Sequence, residues 1–272
     1  MDKFNSTDLR KLYIPPVNSR KGDNGKLMII AGSVLFHAAS LWPLEVASKI
    51  VDMVFFSSVS MNNEIVQKDK DSFRNGIVVS RSDLEKYVEE ADCILIGPGL
   101  TRDSVKTHQD DSTGDLTKKL LLKYPNKKWV VDGGSLQTII PDILPITSII
   151  TPNIKEFEML FKIKPTFENA IKMAKKYKIT ILLKGEEDIV VNEKESVVVR
   201  GGNQGMTKGG TGDVLAGLTA SLCCKNNAYL SAVCASFINK KAGESLFKTQ
   251  GLYYNSSDLV NEIPKIMKKF IF

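Results

Sequence analysis

The chain has 272 residues, 43% of them hydrophobic and 25% charged, enough to bury the core of a single α/β domain of ordinary size. Its 37 Lys and Arg against 31 Asp and Glu give a net charge of +6 that is spread along the sequence, which argues against nucleic-acid binding and suits small anionic substrates. The cysteines, Cys93, Cys223, Cys224 and Cys234, show no CxxC or zinc spacing and read as reduced thiols of a cytoplasmic protein, while polar residues 1–10 and interrupted apolar runs predict neither leader nor membrane span.

In chain order, apolar runs of strand length at 26–31, 53–59, 93–96, 129–132, 148–151 and 179–184 predict strands separated by helices. Near-continuous Val, Ile and Leu imply strands covered on both faces. Their alternation with helices predicts a three-layer sandwich around a central, mainly parallel sheet. Residues 189–192 and 197–200 flank Glu193-Lys194-Glu195 and predict a hairpin at one edge. Helices follow from 213 to 247, broken near 225–227, and from 257 to the C-terminus. The lysine runs at 172–178 and 265–269 read as solvated helix faces, and the stretches 62–75 and 107–115, with Asp110-Asp111, as surface excursions.

In such sheets ligands bind beyond the carboxyl ends of strands. Gly97-Pro98-Gly99, Asp132-Gly133-Gly134, Thr151-Pro152-Asn153 and Lys184-Gly185 each close a predicted strand, so they converge on one face. Lys184, ending an apolar strand, is expected to emerge and meet the donor phosphates. The acids that follow, Glu186, Glu187 and Asp188, can accept from ribose hydroxyls. Asn153-x-x-Glu156 reads in two ways, as a pair reaching one hydrated Mg²⁺ or as a helix capping box. Asp132 reads as a substrate contact or as a helix cap. His37 and His108 are the only histidines and form no metal-ligand or nucleophilic arrangement; His37 either lines a pocket or packs.

The densest signal runs from Gly201 to Asp213, Gly-Gly-Asn-Gln-Gly-Met-Thr-Lys-Gly-Gly-Thr-Gly-Asp, ahead of an apolar helix. Gly209, Gly210, Thr211 and Gly212 bare backbone amides where that helix begins. Unpartnered N–H groups and the helix dipole make this a place to hold phosphate. A Walker A loop is excluded because Lys208 precedes the paired glycines, and a Rossmann fingerprint because Leu215 stands where its third glycine belongs. Asp213 would repel a phosphate among those amides. It therefore reads as the base that deprotonates an attacking hydroxyl, which makes the chemistry phosphoryl transfer.

Together, Lys21-Gly22-Asp23-Asn24-Gly25, Gly32-Ser33, Ile96-Gly97-Pro98-Gly99-Leu100, Thr151-Pro152-Asn153-x-x-Glu156-Phe157, Leu183-Lys184-Gly185 and the 209–213 loop resemble the nucleotide-dependent NAD(P)H-hydrate dehydratases of the ribokinase-like superfamily. The resemblance runs from about Lys21 to the C-terminus. It implies a lyase that uses ADP or ATP, with Mg²⁺, to phosphorylate the ring hydroxyl of hydrated NADH or NADPH and expel it as phosphate. It implies Asp213 as the catalytic residue, and Gly212, Asn203 and the Lys184–Asp188 segment as nucleotide contacts. Ala39, Gly99 and Asn153 match positions facing the hydrated substrate. A homo-oligomer, as in tetrameric relatives, and a single domain over 1–272 without a fused epimerase domain are further expectations. Departures occur at His37-Ala38, Thr101, Gln204 and Thr207. A kinase acting on a vitamin precursor would share the first half of the reaction and a non-catalytic nucleotide sensor only the binding, so both stay open at this point.

Overall fold

Two short strands, β1 (Asp2–Lys3) and β4 (Ile77–Val78), flank a larger set that the apolar runs announce. The first half of the chain contributes β2 (Lys26–Ile30), α1 (Ala38–Ala47), β3 (Met53–Ser57), α2 (Ser60–Lys68), α3 (Leu84–Glu90), β5 (Cys93–Ile96) and α4 (Thr113–Lys123). There follow β6 (Lys128–Val131), α5 (Gly133–Thr138), β7 (Ile149–Ile150), α6 (Ile154–Phe161), α7 (Phe167–Tyr177) and β8 (Thr180–Leu183). The chain ends with β9 (Asp188–Val191), β10 (Ser196–Val199), α8 (Thr211–Lys225), α9 (Ala228–Gln250) and α10 (Ser256–Ile271). This computed structural model describes residues 2–68, 75–102, 108 and 110–272, so parts of the two polar stretches, 69–74 and 103–107 with 109, lie outside the described residues.

Among the described residues one sheet forms, in the order β1-β10-β9-β8-β7-β6-β5-β2-β3-β4, parallel except that β9 runs against both neighbours. The expected hairpin is β9–β10, but it is not the edge: β1 pairs with β10, Asp2 opposite Val197. Alternate strand residues feed opposite faces. Leu27, Ile29, Cys93 and Leu95 join the core beneath α1, α8, α9 and α10, whereas Met28, Ile30, Ile94 and Ile96 join the one beneath α3 to α7. The result is the expected three-layer sandwich. Every residue of α8 from Val214 to Cys224 is buried, so this helix is central and has lost the one-sided pattern of a surface helix.

One surface expectation is corrected. Asn62 lies on α2 and is 2% exposed, its Nδ2 donating to the Ser33 carbonyl at 3.1 Å and to Ser58 Oγ at 2.9 Å. A buried amide is tolerated there because it holds two chain segments together.

Gly97 fixes how the strand ends meet. It ends β5 with φ +123°, its N–H donates to the Ile30 carbonyl at 3.1 Å, and its own carbonyl accepts from Gly134 N–H at 3.1 Å. A Cβ at this position would lie 1.8 Å from the Asp132 carbonyl oxygen. Gly97→Ala is therefore expected to destabilise the protein by about 2–5 kcal/mol, the sum of left-handed strain and overpacking. Urea unfolding measures this, and a loss below about 1 kcal/mol would contradict the close approach of β5 to β6.

Candidate active site

Because β5, β6, β7 and β8 are consecutive neighbours, Gly99, Asp132, Asn153 and Lys184 emerge side by side at one edge of the sheet. Lys184 N–H donates to the Pro152 carbonyl at 2.8 Å, which extends the pairing of β7 with β8 by one step. The Lys184 Nζ then reaches sideways and donates to Asp132 Oδ1 at 2.8 Å, with Glu156 Oε2 3.9 Å away. Burial lowers the basicity of this ammonium, but the carboxylates of Asp132 and Glu156 outweigh it and hold its pKa above the ordinary lysine range. Asp132 Oδ1 also accepts from Thr151 Oγ1 at 2.8 Å. Although Asp132 sits at the N-cap position of α5, its side chain makes no cap bond. Its carboxylate belongs to the Lys184 cluster.

Asn153 and Glu156 form the capping box of α6. Asn153 Oδ1 accepts from Glu156 N–H at 3.0 Å and Glu156 Oε2 from Asn153 N–H at 2.9 Å, while Gln137 Nε2 donates to Glu156 Oε1 at 3.1 Å. Burial raises the Glu156 pKa and nearby Asp132 adds to this, against the pull of Lys184. Among the described residues no group of three His, Cys, Asp or Glu side chains is arranged to hold a metal. Of the two readings of Asn153-x-x-Glu156 the capping box is the one present, and Glu156 still offers a carboxylate of the kind that Mg²⁺ takes beside substrate phosphates.

The glycine loop ends in a turn that no side chain caps. Gly210, the N-cap of α8, has φ +93°, and a Cβ there would lie 2.3 Å from the Trp42 ring. Gly212 is next to the lysine, since a Cβ on it would sit 3.4 Å from Lys184 Nζ. Lys208 donates to the carbonyls of Leu252 and Tyr254 and ties the loop to the start of α10. Asn203 also serves the loop, its Oδ1 accepting from Gly205 N–H at 2.9 Å and Tyr254 OH at 2.7 Å, its Nδ2 donating to the Gly243 carbonyl at 2.8 Å.

Asp213 is the third residue of α8, where a helix dipole stabilises a carboxylate by about 0.3–1 kcal/mol. That is too little to decide its ionisation. Burial, then the charges of Asp132 and Glu156, push its pKa up to about 7 against the opposing pull of Lys184. A carboxylate so placed is a proton acceptor poised near neutral pH.

Beside this cluster opens a cleft of about 690 Å³, lined by residues 184–188 and 200–204, by Gly212 and Leu215 of α8 and by Asn239 and Lys240 of α9. Of the acidic run, Asp188 is committed to the protein: its oxygens accept from Gly185 N–H at 3.0 Å and Ser236 Oγ at 2.7 Å, with Lys240 Nζ at 3.3 Å. Glu187 is bonded to Arg200, and Glu186 is exposed. Lys240 is a cleft residue that no motif in the sequence marks. It is 5% exposed and props the 185–186 turn by donating to the carbonyls of Gly185 at 3.2 Å and Glu186 at 3.0 Å. The sequence signal is the polar run Asn239-Lys240-Lys241, which interrupts the apolar first half of the helix. Ala39 and Gly99 touch on the β2 side of Asp132, where a Cβ on Gly99 would meet that of Ala39 at 2.5 Å. Asp110 and Asp111 anchor loops, one accepting from Val34 N–H at 2.9 Å and the other paired with Arg81 at 2.8 Å, and His37 is exposed ahead of α1 without capping it.

The chain is similar to known proteins. A family model described as NAD(P)H-hydrate dehydratase matches residues 27–265. The chain is 36% identical over 270 residues to the bifunctional NAD(P)H-hydrate repair enzyme Nnr of Methanocaldococcus jannaschii, covering 97% of this chain and 52% of that protein, so it spans about half the length of that relative. It is 33% identical over 290 residues to the ADP-dependent (S)-NAD(P)H-hydrate dehydratase of Nitrosopumilus maritimus, covering 97% of this chain and 96% of that one. The ADP/ATP-dependent NAD(P)H-hydrate dehydratase of Bacillus subtilis, co-crystallised with ATP and Mg²⁺, shares the fold with a TM-score of 0.84 over 98% of both chains at 19% identity. A ribokinase-like superfamily protein of Enterococcus faecalis does so with a TM-score of 0.85 at 22% identity. With its glycine loop, its strand-end cluster and these matches, the chain belongs to the NAD(P)H-hydrate dehydratase family.

Proposed function

We propose that the chain dehydrates hydrated NADH or NADPH to the reduced cofactor at the expense of ADP or ATP. The observation that carries this reading is Asp213, a carboxylate with a pKa near 7 at the start of an uncapped helix and beside a cleft of nucleotide size. The nucleotide phosphates lie against the amides of Gly209 to Gly212 and against Lys184. Ala39 and Gly99 face the hydrated ring. Asp213 takes the proton of the ring hydroxyl as that oxygen attacks the terminal phosphorus, and the nucleotide leaves one phosphate shorter. The phosphorylated oxygen then departs as phosphate, pushed by the ring nitrogen's lone pair, and loss of a ring proton restores the double bond. Glu156 and Asn153 would hold Mg²⁺ together with the nucleotide phosphates, and the ion would supply charge neutralisation. NAD(P)H is thus product, and no hydride is transferred.

The defining assay follows the ultraviolet absorbance of reduced nicotinamide regained from hydrated NADH. It is expected to return only with nucleotide and Mg²⁺, with one phosphate released per turnover. Turnover without nucleotide sinks the mechanism, and a stable phosphorylated product marks a kinase instead.

Asp213→Asn is expected to keep nucleotide binding and lose turnover by about 10²- to 10⁴-fold, the usual cost of a missing general base. Wild-type turnover should rise with pH through about 7, as the carboxyl gives up its proton. The same shift acts on stability. Because the folded-state pKa lies above that of the unfolded chain, Asp213 contributes stability at low pH that is lost as pH rises through about 7. The Asn variant should therefore gain thermal stability over wild type at about pH 8 and little of that gain at about pH 4. An equal difference at both would show that the carboxyl is not buried among like charges.

Lys184→Ala should weaken nucleotide binding and also destabilise the fold by about 3–5 kcal/mol, because it strands the buried carboxylates of Asp132 and Glu156. Calorimetric titration and urea unfolding read the two effects separately. Lost affinity with unchanged stability would mean that the lysine serves the phosphates alone.

A further inference from the structure

Asn239 is the one cleft side chain of α9 with an unmet hydrogen bond. It lines the cleft, is 4% exposed, and its Oδ1 accepts from no group in the described structure. Its neighbours on α9 are both engaged with the 185–188 turn, Ser236 through Asp188 and Lys240 through two carbonyls. Leaving a buried acceptor unpaired is costly, and native proteins do so where something else completes the bond.

The rest of the cleft says what that partner is. Its phosphate end is fixed by Gly212 and Lys184, and the exposed carboxylate of Glu186 at the rim suits ribose hydroxyls. Asn239 shares the interior with Leu215, 3% exposed and one helical turn beyond Gly212, and with the half-buried Met206. Of the amides that line the cleft, Asn203 is bonded within the protein and Gln204 is exposed, so Asn239 is the buried one left to read a ligand. Set beside Leu215 and Met206, it matches a purine, which has apolar faces and a polar edge. An asparagine amide pairs with adenine in two bonds, its oxygen accepting from the exocyclic amine and its nitrogen donating to a ring nitrogen. On the N7 edge a 6-oxo purine presents two acceptors, so whichever way the amide turns its oxygen faces an acceptor and finds no donor. Rotation about the terminal torsion of asparagine is soft, so turning the amide toward a base costs little.

We propose that Asn239 reads the base of the nucleotide, its Oδ1 accepting from the exocyclic amine of adenine, and so sets the preference of the cleft for adenine over 6-oxo purine nucleotides. The proposal rests on the cleft being the nucleotide site. Calorimetric titration of the wild-type protein and of Asn239→Leu with ADP and with inosine diphosphate, each with Mg²⁺, tests it. Wild type should bind ADP about tenfold or more tightly than inosine diphosphate; the variant should lose about tenfold in ADP affinity and about twofold or less for the inosine compound. Equal wild-type affinities overturn the role of Asn239 and need no variant to fold. So does a variant that retains the wild-type ratio. Binding of neither compound by wild type overturns the nucleotide reading of the cleft itself, which separates the two failures.

Discussion

A single buried ammonium, that of Lys184, is shared among the carboxylates of Asp132 at 2.8 Å, Glu156 at 3.9 Å and, through space, Asp213. One positive charge cannot balance three negative ones in a place with little water. Withdrawing an ion from water costs several kcal/mol, far more than a helix dipole returns. Burial first, and the charge of Asp132 after it, raise the pKa values of Glu156 and Asp213 against the pull of Lys184. Asp213 is the carboxyl pushed up to about 7. A polyphosphate entering such a field would meet like charge, so it has to bring a cation with it, which fits a divalent ion travelling with the nucleotide better than one held in a protein cage.

The sheet makes this crowding possible. Parallel neighbours about 4.8 Å apart deliver one residue per strand end to a common rim, and the approach of Gly97 to the Asp132 carbonyl leaves no slack between β5 and β6. The reversal at residues 184–188 then turns the chain back as antiparallel β9 and closes one wall of the cleft. That turn is held from outside the sheet, by Lys240 and Ser236 of α9.

What the amino-acid sequence reveals follows from where each constraint is encoded. The central strands are legible because cover on both faces demands unbroken Val, Ile and Leu. In contrast, β1 and β4 hold two residues each and exist only through pairing with β10 and β3. The glycine loop is legible because its demands fall on the backbone. Asp132 is ambiguous, since an acid before a helix looks alike whether or not it caps, and its actual partner, Lys184, is 52 residues away. The partners of Asp188 and Asn203 are equally distant, Ser236 by 48 residues and Tyr254 by 51, so no local pattern announces that these polar groups are already satisfied.

The chain contains two tryptophans in opposite situations. Trp129 lies inside the sheet, fully buried, its Nε1 donating to the Tyr124 carbonyl at 2.9 Å. Trp42 is half-buried on α1, its ring pressed against the Gly210 turn and its Nε1 donating to Ser257 Oγ at 3.3 Å. Indole emission depends on local polarity and on contact with nearby peptide groups. The protein therefore has an internal optical reporter: movement of the glycine turn alters the emission of Trp42 while that of Trp129 serves as a constant reference, and events at the helix start can be timed without attaching a label.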